Sequence, residues 1–366
     1  MEALPSRVVG IDLAKRSYVA HIIDPNSEKA QIWEGKTDTG GIDRLCAKLQ
    51  PHDRLGMECC AFAFRLAKIL QERVHCKVLV LNPGELAIIY KSVKKTDLAD
   101  AGKIAWLLNR HPDEELPTVT LPTEQEEHRR ALVSELRSKK KARTALINRL
   151  HSLFVRQGLV VLTKEDLRTA RNRDENIRAL SDFTLGEAKR IQEELSMMES
   201  HIETIEQEIK DDLKAEPVVA QLLSIPGVGP ATAMAYLAHV GDGSRFSRAR
   251  QVSHFVGMTP RVDSSGETTR LGSITKRGCT AIRSLIVQSA WAAVHTHRNH
   301  KLKEKYQELV HRIGKGRAIV AVARRLLELM WIISRRKEFY HQTSMDELRF
   351  KMARSGLKMH FVGSGT

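Results

Sequence analysis

Several features that would settle a protein's class at once are scarce in this chain. Its five cysteines (Cys46, Cys59, Cys60, Cys76 and Cys279) are odd in number and include no CxxC pair, which argues against both a disulfide framework and a thiolate zinc site. The longest apolar stretch, AIVAVARRLLELMWII, is split by Arg324 and Arg325, and the N-terminus has Glu2 and Pro5 where a leader would be apolar. No signal peptide, no transmembrane helix and a reducing, cytoplasmic setting are therefore expected. Acidic residues are outnumbered, 44 against 59 Lys and Arg, leaving +15 on 366 residues. That surplus favours a polyphosphate partner, although a ribosomal or membrane-surface protein would carry it too. With 42% hydrophobic content the chain is long enough for two or three globular domains.

What is present begins with RVVGIDLAKRSYVAHIID from residue 7, an apolar strand interrupted at Asp12 and followed by a second strand over 18–23. A turn at Pro25 and Asn26 precedes a third short strand over 31–34. Close-set strands joined by tight turns are antiparallel. Helix over 41–49, strand over 54–58, helix over 61–73 and strand over 77–81 then alternate, which argues parallel crossover units. A helix opening at Asp97 completes a domain over 1–111. Three antiparallel strands followed by this alternation give an α/β fold with the order of a ribonuclease H-like sheet.

Pro112, Pro117 and Pro122 mark residues 112–124 as a linker. Two long helical tracts of opposite charge follow over 125–216. Residues 128–173 carry thirteen Lys and Arg against three Asp and Glu, and 174–216 carry five against thirteen. The basic tract holds Lys139, Lys140, Lys141 and Arg143, spaced to follow a nucleic-acid backbone. The acidic tract keeps a heptad seam through Ala188, Ile191, Leu195, Met198, Ile202, Ile205 and Ile209, readable as a coiled coil joining two protomers or as a helix packed within one chain. Residues 217–340 read as a mostly helical domain opening with LLSIPGVGPATA, where Gly227 and Gly229 suit a helix-hairpin-helix turn whose amides meet a phosphate. An unspecific helical hairpin would look alike. Residues 341–366 read as a basic tail.

The chemistry is expected at carboxylates. A charge inside a strand, such as Asp12, is costly unless something positive sits on it. Glu58 ends the fourth strand, a neighbour of the first in such a sheet, and Asp97 and Asp100 share one face of a helix at i and i+3. Four converging carboxylates repel, and hard divalent cations such as Mg²⁺ relieve them. Two such ions about 4 Å apart suit phosphodiester chemistry. An acidic helix start is the plainer reading of Asp97 and Asp100.

A second centre is FVGMTPRVDSSGETTRLGSITKRG over 255–278, rich in Gly, Ser, Thr and Arg, as a phosphate-handling loop between helices would be. Arg261, Arg270, Lys276 and Arg277 supply positive charge, and Ser264 or Ser265 beside Gly266 can act as a nucleophile toward phosphorus.

GIDLAK, ME at Glu58, KTDLADA, SIPGVGPATA and GMTPRVDSSGETTRLGSITKRG together resemble the one-ten family of bacterial insertion-sequence transposases, in the family's order and over about residues 7–295. The resemblance implies a RuvC-like DEDD domain binding Mg²⁺ through Asp12, Glu58, Asp97 and Asp100, then a coiled coil and a C-terminal transposase domain. It implies Ser265 as the nucleophile that joins covalently to a DNA end, with Ser264 as the neighbouring alternative. It also implies a structured guide RNA pairing with donor and target DNA, docked on the basic tract and tail. Many relatives follow the glutamate with a small residue and Gly, whereas Cys59, Cys60 and Ala61 follow Glu58 here.

The expectation is an RNA-guided, nucleoid-associated DNA recombinase acting as a dimer or tetramer joined through the heptad seam. A metal-dependent nuclease resembling a Holliday-junction resolvase is the alternative, and a non-catalytic nucleic-acid-binding protein the third reading.

Overall fold

The computed structural model describes residues 7–27, 30–89, 97–265 and 268–357, with the backbone alone for 87–89, 97–99, 262–265 and 268–271. The chain divides into two compact units, Met1–Thr123 and Glu124–Thr366.

The first unit is built on β1 (Val8–Leu13), whose first four residues are buried, as befits a strand covered on both faces. It pairs antiparallel with β2 (Ser17–Ile23), which pairs antiparallel with β3 (Gln31–Lys36). After α1 (Thr39–Lys48), β4 (Arg54–Glu58) lies parallel to β1. After α2 (Ala63–Val74), β5 (Lys77–Leu81) lies parallel to β4. The strand order β3-β2-β1-β4-β5 is the one expected from the sequence. Then come α3 (Pro83–Ile89) and α4 (Asp97–Arg110). One sheet face, with Val9, Ile11, Ala20, Leu55 and Met57, packs on Leu45 of α1 and Leu66 and Leu70 of α2. The other, with Val8 and Leu81, packs on Leu86 of α3 and Ile104, Leu107 and Leu108 of α4.

Residues 112–121 are not a free linker. Thr118 bridges antiparallel to Leu81, Val119 N–H donates to the Val80 carbonyl at 2.7 Å, and Leu116 is buried. The prolines stop the helix, but the backbone between them still pairs with the sheet edge.

The second unit hangs on two 33-residue helices, α5 (Glu124–Arg156) and α7 (Asp182–Lys214), each about 50 Å long, with the short α6 (Ala170–Asn176) between them. They run antiparallel. Leu132, Val133 and Leu136 share a core with Ile202, Ile205 and Ile209, while Leu150, Leu153 and Phe154 share one with Ala188, Ile191 and Leu195. The heptad seam is thus consumed inside the chain and is not available as the dimer contact; Met198 alone of its members is only half-buried. The opposite charges of the tracts have the same origin: Arg129 pairs with Asp212 at 2.7 Å, Lys140 with Glu206 at 2.6 Å and Arg149 with Glu187 at 3.0 Å across the helices.

The first of these cores continues without a break into the remaining helices: α8 (Val218–Ser224), α9 (Pro230–Val240), α10 (Ala249–Phe255), α11 (Thr280–Val294), α12 (Lys301–Ile313), α13 (Lys315–Arg336) and α14 (Met345–Arg354). A boundary at residue 216 therefore falls inside one core. Residues 341–357 are part of it rather than a loose tail, because Leu348, Met352 and Leu357 are buried there; residues 358–366 lie outside the described residues. The stretch expected as a loop is a hairpin, β6 (Pro260–Ser265) paired antiparallel with β7 (Thr268–Ile274). Among the described residues no helix is long and apolar enough to cross a membrane.

Candidate active site and nucleic-acid interface

Two glycines seat α4 on the sheet. A β-carbon on Gly10 would come within 2.2 Å of the Ala101 carbonyl oxygen and 2.4 Å of the Ala105 nitrogen, and one on Gly56 within 2.7 Å of Leu108. Arg54, opening β4, fixes the far end: its guanidinium donates to the carbonyls of Leu108 and His111 and to Asp113. The helix therefore runs antiparallel to β1 and β4, and its N-terminus lies over their C-terminal ends.

Those ends carry the expected carboxylates. Gly56, beside Gly10 in the register, and Glu58 alternate onto the face α4 covers, as do Gly10 and Asp12. Asp12 lies two residues beyond Gly10, about 6.6 Å along the strand. About four helical residues span that rise, which sets Asp12 level with the first turn of α4, where the backbone places Asp97 and Asp100. Asp12 and Glu58 are both half-buried, and both take part in polar or ionic interactions. Asp100 is also half-buried and accepts from Lys103 Nζ at 2.6 Å. The side chain of Asp97 and the lysines before it lie outside the described residues.

Among the described residues no three His, Cys, Asp or Glu side chains form a ready metal cage. The donors on this face are carboxylate oxygens, the chemistry that hard divalent cations take, and Asp12, Glu58 and Asp100 fit such an ion by type. His21, on β2 opposite Gly10, joins this face without having stood out in the sequence. Its ring lies against Gly102 of α4, and its Nδ1 is buried with no hydrogen-bond partner among the described residues. Alternation along β2 would have placed it on this face.

In the second unit the backbone sets Ser264 opposite Thr269 and Ser265 opposite Thr268, so Ser265 is the last paired residue before the hairpin tip. The side chains of Ser264, Ser265 and Arg270, and Gly266 itself, lie outside the described residues. Arg261, Lys276 and Arg277 are exposed toward the base of the hairpin. Gly257 and Gly278 allow that base to close, with left-handed φ values of 74° and 82°.

The two segments expected to meet a nucleic-acid backbone come together. A cleft of about 410 Å³ is lined by Arg137, Lys140, Lys141 and Thr144 of α5, Ala231 at the start of α9, and Ser284 and Gln288 of α11. None of its described lining residues is acidic, although Lys140 also pairs with Glu206. Lys139 instead approaches His201 of α7 at 3.1 Å, and Arg143 lines a separate cleft with Glu199, Glu203 and Glu206. Gly227 has a packing reason to be glycine: its φ is 80°, and a β-carbon would lie 2.0 Å from the Ser289 carbonyl oxygen. Gly229 caps α9 with no atom within 4 Å of such a carbon, so its backbone is open to approach. Nearby, burial followed by the charges of Arg130 and Arg245 pushes the His239 pKa down to about 4, and Nε2 of that ring lies 3.4 Å from Cys279 Sγ.

Comparison with known proteins agrees with both units. A transposase model of the DEDD class matches residues 9–157, and a model described as the IS116/IS110/IS902 transposase family matches residues 219–307. A probable family 20 transposase of Pseudomonas aeruginosa is 27% identical over 339 residues, 91% of this chain and 98% of its own length. The transposase for insertion sequence element IS1111A of Coxiella burnetii is 33% identical over 209 residues, 55% of this chain and 56% of its own. A pilin gene-inverting protein of Moraxella lacunata is 24% identical over 354 residues, 89% and 95% of the two chains. The chain belongs to the IS116/IS110/IS902 family of insertion-sequence transposases.

Proposed function

We propose that this transposase is an RNA-guided recombinase that moves its own insertion sequence by cutting and rejoining DNA without net loss of phosphodiester bonds. The observation that supports this reading is the meeting of β1, β4 and α4, since Asp12, Glu58 and the first turn of α4 belong to the ends that meet on one face of the mixed five-stranded sheet. Asp12, Glu58, Asp97 and Asp100 would hold Mg²⁺, which when bound stabilises negative charge developing on a phosphate. The Ser265 oxygen, in the second unit, forms a phosphoester with a DNA end as the original ester oxygen leaves with a proton. A hydroxyl of the exchanging strand reverses that step and restores the diester. The relative that inverts pilin genes favours recombination over a nuclease, because inversion requires rejoining.

The cleft of Arg137, Lys140 and Lys141 beside the start of α9 is the surface this reading gives to a nucleic-acid backbone, DNA or guide RNA. Paired cuts require two or more protomers. With the heptad seam buried against α5, their contact lies elsewhere.

The test is to trap the protein on nicked or junction DNA in Mg²⁺ and map the covalent attachment. Attachment at Ser265, lost in Ser265→Ala, supports the recombinase. Cleavage that survives Ser265→Ala with no attachment points to the resolvase-like nuclease. Binding with neither cleavage nor attachment, and unchanged in Asp97→Asn and Asp100→Asn, points to a non-catalytic binding protein.

A further inference from the structure

Phe350 of α14 is 66% exposed, and the guanidinium of Arg354 sits 5.8 Å from its ring centroid. It borders a cavity of about 710 Å³ that α14 forms with the loop between α11 and α12 and with the turn at Pro226 and Gly227. The walls are tied together. Lys351 Nζ donates to the carbonyls of Leu223 and Ile225 at 2.6 and 2.9 Å. The Thr343 hydroxyl donates to the Ser224 carbonyl at 2.8 Å, and the Tyr340 backbone N–H to the Ser224 hydroxyl at 2.7 Å.

The charge of this cavity is positive on balance. Arg298, Lys351 and Arg354 line it against one described acidic residue, Glu347, which is paired with Arg298, and the rings of His297 and His300 complete that wall. Asn299 and Gln342 add amide donors and acceptors. The volume lies within the range of ligand sites that enclose a nucleotide-sized molecule. An exposed aromatic face, guanidinium groups and amide edges are what an unpaired nucleotide needs, since it offers a free base face and a phosphate. A base inside a duplex has no free face, and an acidic peptide would leave Phe350 unused.

We propose that this cavity takes an unpaired nucleotide of a nucleic-acid strand, its base stacked on Phe350 and its phosphate held by Arg354. The site stands beside the hairpin turn at 225–229, so strands opened during exchange would be held there. The inference rests on the proposed recombinase reading.

The probe is a 12-nucleotide single strand with a central 2-aminopurine, made as DNA and as RNA, alongside the corresponding duplex. Wild-type protein should quench the single-strand fluorescence through stacking. Phe350→Ala should remove the quench and weaken single-strand binding about tenfold, with duplex affinity changed less than twofold. Phe350→Tyr should restore both effects, and whichever of the DNA and RNA strands shows them identifies the source. Because Phe350 is exposed, its thermal unfolding midpoint should not move. Equal quench and affinity in Phe350→Ala, or a parallel loss of duplex affinity, overturns the pocket alone. Wild-type protein that binds neither single strand nor duplex overturns the recombinase reading, and the pocket with it.

Discussion

Replacing Gly10 by alanine should be one of the most damaging small changes in the first unit. The added carbon would lie 2.2 and 2.4 Å from backbone atoms of Ala101 and Ala105, where about 3.5 Å is an ordinary contact. No side chain can swing away to relieve this, so α4 must retreat by about 1 Å. Overpacking of that kind costs roughly 1–3 kcal/mol, and a backbone-on-backbone clash belongs at the upper end. The retreat also carries Asp97 and Asp100 away from Asp12, and a 1 Å misplacement of reacting groups costs on the order of a hundredfold in rate. Urea denaturation and Mg²⁺-dependent cleavage of junction DNA read the two effects separately. Gly102→Ala is the control, because its β-carbon meets His21 at an ordinary 3.5 Å and alanine favours the helix; it should retain or gain stability. A Gly10→Ala protein with the wild-type urea midpoint and cleavage rate would refute the claim that α4 is seated directly on β1.

Arg129 is 5% exposed and pairs with Asp212 and Glu216; Arg129→Ala strands those carboxylates and should cost about 3 kcal/mol in urea unfolding. Ile205→Asp should unfold the second unit, with loss of helical circular dichroism, rather than convert a folded oligomer into folded monomers on a sizing column. His239, at about 4 when folded against 6.5 when unfolded, stays neutral while the unfolded chain takes up a proton. Stability should therefore fall as pH drops from about 6.5 toward 4, by at most about 3 kcal/mol, and His239→Gln should flatten that slope in denaturation measured at each pH.

The sheet was legible because its signals are local: the apolar run 8–11 broken by Asp12, tight turns, then alternating helix and strand. That α4 faces the ends of β1 and β4 was expected from its carboxylates; its close seating was not legible, since only the structure reveals that Gly10 and Gly56 are small to admit a helix. The heptad seam was legible, but which of its two partners covers it was not. A repeat of three and four residues marks a buried helical stripe, and α5 of the same chain covers it as a second protomer would. The hairpin over 260–274 was hidden by its Ser, Thr, Gly and Arg content, which reads as loop, while its cross-strand pairing is not a compositional property. Prolines 112 and 117 signalled the end of a helix truthfully, but say nothing of a backbone edge able to bridge Leu81.

In the proposed site, remote carboxylates of the first unit gather around one divalent ion. Fe²⁺ loaded in place of Mg²⁺, with ascorbate and hydrogen peroxide, produces hydroxyl radicals that cut the chain close to the bound ion. A shared ion should give cuts near residues 12, 58 and 97–100 together, suppressed by excess Mg²⁺ and lost in Asp12→Asn. Cuts confined to one of these segments, or unchanged in Asp12→Asn, would contradict it.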